Sequence, residues 1–105
     1  MQVEEYLIGC FVRSVPPRAK DLAAAVGLSA GRFSNIFLQQ FGERPAIYLK
    51  RRQVERAKAL LRTTDYSIST VARASGFGTR MTLFRAFRRF TGMTPMEYRR
   101  QGVAA

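Results

Sequence analysis

Histidine and tryptophan are absent from this chain, cysteine occurs once, and only seven of the 105 residues are acidic. Without histidine, the commonest general base and metal ligand is missing. The seven acids are scattered, with no paired carboxylates, no metal-ligand spacing and no phosphate-binding loop. An enzyme is therefore not expected, and neither is a metal or cofactor. The lone Cys10 cannot close an internal disulfide, which fits a reducing compartment. It lies on the apolar face of its helix, so packing explains it better than thiol chemistry. No apolar run approaches the length of a membrane span. Glu4 and Glu5 stand where an export signal would be basic, so a cytoplasmic protein is the expectation.

Positive charge is abundant. Lysine and arginine total 18, for a formal net charge of +11, and 15 of them are arginine. The excess is uneven: residues 1–44 carry a net +1, whereas residues 45–105 carry +10. Such a domain attracts a polyanion, because neutralising phosphates releases condensed counterions. The arginine bias suits phosphate and guanine, which the planar guanidinium meets in a fork.

Every segment reads as helix. Val3, Leu7, Cys10 and Phe11 form an apolar stripe in a helix over about Gln2–Arg13, stopped by Pro16-Pro17. A short helix over about Ala19–Val26 ends at Gly27. Ser29 caps a third over Ala30–Phe41, closed by Gly42. Pro45 opens a long helix, carrying Ile47, Val54, Leu60 and Leu61 inward, to about Thr63. Ser67 then caps a short helix ending at Gly76, and Thr79 caps one running to about Phe90, closed by Gly92. Thr94-Pro95-Met96-Glu97 has the spacing of a capping box before a final helix.

The second half echoes the first. LAAAVGL (Leu22–Leu28) lies over VARASGF (Val71–Phe77) at an offset of 49. One residue later the offset becomes 50, and Phe33, Phe37, Gly42, Pro45 and Tyr48 match Leu83, Phe87, Gly92, Pro95 and Tyr98. Each copy is a short helix, a glycine turn and a longer helix, the layout of a helix-turn-helix. The expected fold is all-α, with about seven helices. Two helix-turn-helix subdomains, 1–44 and 64–105, are joined by a linker helix over 45–63.

The stretch VARASGFGTRMTLFRAFRRFTGMTPMEYRR (Val71–Arg100) resembles the signature of the AraC/XylS family of bacterial transcription regulators. Its features are a helix-turn-helix, a spaced aromatic pair and a closing G-x-T-P-x-x-Y-R. The preceding YLKRRQVERAKALLRTTDYSISTVA resembles that family's linker helix. The resemblance implies duplex DNA as the partner, with two recognition helices in successive major grooves. RNA polymerase is a further candidate partner. The resemblance also implies that the isolated domain is a monomer and that dimerisation would run through an effector-sensing domain joined to it.

Helical geometry separates the faces without reference to a family. At roughly 100° per residue, Leu83, Phe87 and Phe90 share a core stripe flanked by Ala86. Met81, Arg85 and Arg88 lie opposite, and Arg89 sits on a flank. Phe84 falls on the border, either peripheral core or a base contact. In the first copy Phe33, Phe37 and Phe41 face inward, with Gly31, Asn35 and Leu38 outward beside Ser34. The base-contact candidates in the second copy are Arg80, Met81, Phe84 and Arg85. Arg85 suits a guanine edge, and Met81 or Phe84 a thymine methyl. In the first copy the resemblance places base contacts at Gly31, Arg32, Ser34 and Asn35, of which Asn35 suits an adenine edge.

Phosphate candidates are Arg18, Lys20, Lys50, Arg51, Arg52, Arg88 and Arg89, with Ser67 and Thr79 contributing through helix caps. Arg52→Ala is expected to lower the salt dependence of binding. A linker of about 18 residues spans roughly 27 Å. With the width of the subdomains added, that approaches the ~34 Å between successive major-groove faces. The alternative is a basic helical module that binds RNA or a protein partner without reading DNA sequence.

Overall fold

A computed structural model describes residues 3–104. Seven helices follow in order: α1 (Val3–Arg13), α2 (Ala19–Ala25), α3 (Ala30–Phe41), α4 (Pro45–Thr63), α5 (Ile68–Ala74), α6 (Arg80–Thr91) and α7 (Pro95–Ala104). The all-α architecture is the expected one, and the helix ends fall within two residues of those read from sequence. Gln2 lies outside the described residues. Val26 and Ser75 cap α2 and α5 rather than extending them, and α6 continues one residue to Thr91.

The helix starts have local causes. Ser29, Ser67 and Thr79 each accept a hydrogen bond from the backbone N–H three residues on, satisfying one of the first turn's free donors. Thr94 and Glu97 form the reciprocal box: the Glu97 N–H donates to Thr94 Oγ1 at 3.1 Å, and the Thr94 N–H donates to Glu97 Oε1 at 2.8 Å. Helix α2 lacks a side-chain cap. The Tyr6 hydroxyl on α1 accepts from the N–H of the α2 N-cap residue, Arg18, at 2.8 Å, so a tertiary contact anchors the helix start.

Two cores form, one per copy. Val3, Leu7, Leu22, Ala23, Phe33, Phe37 and Leu49 make the first. Ile68, Val71, Ala72, Phe77, Leu83, Ala86 and Phe87 join Val54, Ala57, Leu60 and Leu61 in the second. Helix α4 is thus shared, giving Leu49 to one core and its later apolar residues to the other. At 19 residues it extends about 28 Å within a molecule measuring 45 × 25 × 21 Å. Cys10 is buried, as expected for packing.

The two copies meet at a tight seam. Gly76 has φ +79°, a left-handed conformation, and a Cβ there would lie 3.1 Å from the Val15 carbonyl oxygen. It would also lie 3.2 Å from both Gln53 Nε2 and Pro17 Cδ. Gln53, buried on α4, donates to the Ser75 carbonyl at 3.2 Å, which satisfies its amide next to this contact. The turn of the second helix-turn-helix is therefore seated on α4 and on the loop after α1. This fixes one copy against the other.

Two inward assignments need correction. Ile47 is 41% exposed, because it lies on the far side of α4 from the buried Pro45 and Leu49. Phe41 is also partly open, although its ring stacks on Phe37 with centroids 4.2 Å apart.

Candidate nucleic-acid interface

Helix α6 has the two faces its sequence predicts. Leu83, Ala86 and Phe87 are buried, while Arg80, Met81, Arg85, Arg88 and Arg89 are exposed. Met81 is 64% exposed, which leaves a large apolar side chain in water on an otherwise cationic surface. Arg85 Nη2 lies 3.3 Å from Met81 Sδ one turn earlier, so the two form a joint patch. Phe84 is partly buried and packs against the second core, leaving part of its ring at the surface.

A cleft of about 250 Å³ adjoins this face, lined by Lys50 of α4 with Thr82, Arg85, Arg89 and Phe90 of α6. Lys50 sits over the Phe77 ring, 5.6 Å from its centroid, which positions the ammonium without neutralising it. Three cations from two helices thus line one open recess.

The linker cations differ in circumstance. Arg51 donates through Nε and Nη2 to Glu43 Oε1, at 3.2 and 2.9 Å. Arg52 grips the Glu4 carboxylate with both terminal nitrogens and donates to the Tyr48 hydroxyl at 2.9 Å. The hydrogen bond from Arg52 holds the Glu4 carboxyl below the usual carboxylate range, and Glu4 in turn raises the arginine. Both phosphate candidates are thus ion-paired within the fold. Acids on α1 and on the α3–α4 loop engage them, pairings with no signature in the local sequence. Arg18 and Lys20 remain exposed at the start of α2. The hydroxyls of Ser67 and Thr79 are engaged as helix caps.

Helix α3 presents a different surface. Gly31 faces open space, with nothing within 4 Å of where a Cβ would be, and Arg32 is exposed. Ser34 and Asn35 lie on the outer face but are not free: Arg44 Nη1 donates to Ser34 Oγ at 2.9 Å and to Asn35 Oδ1 at 3.2 Å. Sequence reasoning passed over Arg44. The available signal was the repeat itself, since Arg44 and Ile47 stand where the second copy has the capping pair Thr94 and Glu97.

Arg99, in the closing Tyr98-Arg99 pair, was also unassigned. Its Nε donates to the Leu61 carbonyl at 3.2 Å and its Nη2 to the Thr64 carbonyl at 3.3 Å. It satisfies acceptors left open at the end of α4 and ties α7 to the linker. Among the described residues no cluster of metal-ligating side chains occurs, and no helix is long and apolar enough to cross a membrane.

Known proteins share this arrangement. A family model described as a helix-turn-helix domain matches residues 22–101. The arabinose operon regulatory protein of Escherichia coli (strain K12) is 37% identical over 79 residues, covering 75% of this chain and 27% of that protein. An HTH-type transcriptional regulator of Mycobacterium tuberculosis is 34% identical over 83 residues, covering 79% of this chain and 32% of that one. The chain thus spans about a third or less of the length of these relatives. Among solved structures, the DNA-binding domain of AdpA, in complex with a target DNA, superposes with a TM-score of 0.84 at 30% identity, covering 96% of this chain and 92% of that one. The C-terminal domain of AraT, a response regulator from Geobacillus stearothermophilus, gives 0.84 at 26%, covering 92% and 79%. With its duplicated helix-turn-helix and shared linker helix, the chain belongs to the AraC/XylS family of bacterial transcription regulators.

Proposed function

We propose that this domain binds duplex DNA sequence-specifically for a transcription regulator, with α3 and α6 as recognition helices in successive major grooves. The observation that carries this reading is α6. It is held by a buried apolar stripe, and it turns Arg80, Met81 and Arg85 outward beside a cationic cleft. In this reading Arg85 donates to a guanine edge, Arg80 enters the groove from the first turn, and Met81 touches a thymine methyl. Arg88, Arg89 and Lys50 take phosphates along one flank, and Arg18 and Lys20 do so at the first copy. The work is binding in the cytoplasm, without catalysis, by a domain that is monomeric on its own. RNA polymerase is the protein partner this role calls for.

Selection from a randomised duplex pool, followed by salt titration of the chosen site, tests the proposal. A two-part motif with steep salt dependence is expected. Salt-sensitive binding with no selected motif would instead favour the nonspecific RNA- or protein-binding module.

A further inference from the structure

The two copies enter their closing helices alike. Gly42 and Gly92 have φ of 77° and 75°, and Pro45 and Pro95 open α4 and α7. Between them, Thr94 caps α7 with Glu97. Arg44 keeps the extended N-cap backbone, φ −72° and ψ 151°, yet makes no side-chain cap. Its partner position holds Ile47, which cannot complete a box. The first copy therefore lacks both halves of a stabilising device that the second retains. The released side chain reaches back over α3 to Ser34 and Asn35.

Ser34 and Asn35 occupy the register of Phe84 and Arg85. Helix α3 has no cation at that place, and Arg44 delivers one through space from the next helix. The chemistry of the contact sets the orientation. A guanidinium only donates, so Asn35 must turn its amide oxygen toward Arg44 and its NH2 away. Among the described residues only Nη1 of Arg44 is engaged, which leaves the other guanidinium donors open. Arg44 and Asn35 together are thus a surface of donors. Guanine offers two acceptors in the major groove, whereas adenine pairs one acceptor with a donor.

Resting on the DNA-binding reading above, we propose that Arg44 is a specificity-determining residue. It makes the first copy read guanine where Asn35 alone would read adenine. Site selection with wild type, Arg44→Thr and Arg44→Lys tests this, each measured against the preference that Arg85 sets in the second half-site. Threonine is the capping residue of the second copy, so the fold should survive, with a thermal midpoint no lower than wild type. The expected result is a guanine in the wild-type first half-site that shifts toward adenine in Arg44→Thr. Affinity for the guanine site should fall about tenfold or more. Arg44→Lys should weaken the guanine preference while keeping the salt slope, because an ammonium donates without the planar fork. An unchanged first half-site, or an even loss across all sequences, would overturn the role of Arg44 while the second half-site upholds DNA reading. Failure to select any sequence at either half-site would overturn both.

Discussion

Tyr98 meets Phe87 edge-on, with ring centroids 5.4 Å apart and planes at 71°. Fifty residues earlier Tyr48 meets Phe37 at 5.2 Å and 70°. Each hydroxyl accepts from an arginine of α4, Arg62 for Tyr98 and Arg52 for Tyr48. The repeated G-x-x-P-x-x-Y spacing therefore encodes a lock in which the helix after the recognition helix clamps its fully buried phenylalanine. Tyr98→Phe should cost about 1 kcal/mol by losing one hydrogen bond. Tyr98→Ala should cost about 2–3 kcal/mol by losing the ring as well. Urea unfolding of both variants checks this, and equal costs would mean the edge contact contributes nothing.

Gly27 and Gly76 occupy the same position in the two copies, both with positive φ. A Cβ at Gly27 meets open space, but one at Gly76 meets the seam formed by Val15, Pro17 and Gln53. Gly27→Ala should cost about 1–2 kcal/mol, for the backbone conformation alone. Gly76→Ala should cost about 1–3 kcal/mol more, for overpacking a contact that cannot open freely. Matching denaturation midpoints for the two variants would contradict a seam of this kind.

In the DNA-binding reading, Arg52 acts as a structural cation and Arg89 as a binding one. Arg89→Ala should weaken binding evenly across sequences and lower the salt slope by about one. Arg52→Ala should leave that slope nearly unchanged, because Glu4 already engages the guanidinium. Its effect should be a stability loss of up to about 1 kcal/mol, as for a partly exposed ion pair with an added hydrogen bond. Salt titrations run beside thermal melts distinguish the two outcomes.

Arg85→Ala should relax preference at a single base position, costing about 1–3 kcal/mol there. Competition binding with singly substituted sites measures it. A loss spread over every sequence would reassign Arg85 to phosphate.

Acid should loosen the C-terminal helix. The backbone N–H and hydroxyl of Thr94 hold the Glu97 carboxyl below its usual range. A depressed carboxylate adds stability above its unfolded value, about 4.3, and loses it as pH falls through the lower folded value. Glu4, depressed by Arg52, acts in the same direction. The urea midpoint should therefore fall below about pH 4.3, and Glu97→Gln should flatten that decline. A midpoint that rises on acidification would reverse the assignment.

Local chemistry determined most of the fold. Capping residues at Ser29, Ser67, Thr79 and Thr94, together with turn glycines and i, i+4 aromatic stripes, act within a few residues of themselves. Helix order, helix ends and the core face of α6 were accordingly legible in the sequence, as was the duplication that led to the family. What the sequence left open lies in contacts between distant segments. Glu4 finds Arg52 across 48 residues, Gln53 reaches the Ser75 carbonyl across 22, and Arg44 bends back over Asn35 across 9. A long cationic side chain carries no periodic mark of where its head group will rest, so only the packed fold decided which arginines hold the protein together. The same packing set Phe84 partly against the second core and laid Arg44 over α3, contacts that depend on where neighbouring segments lie.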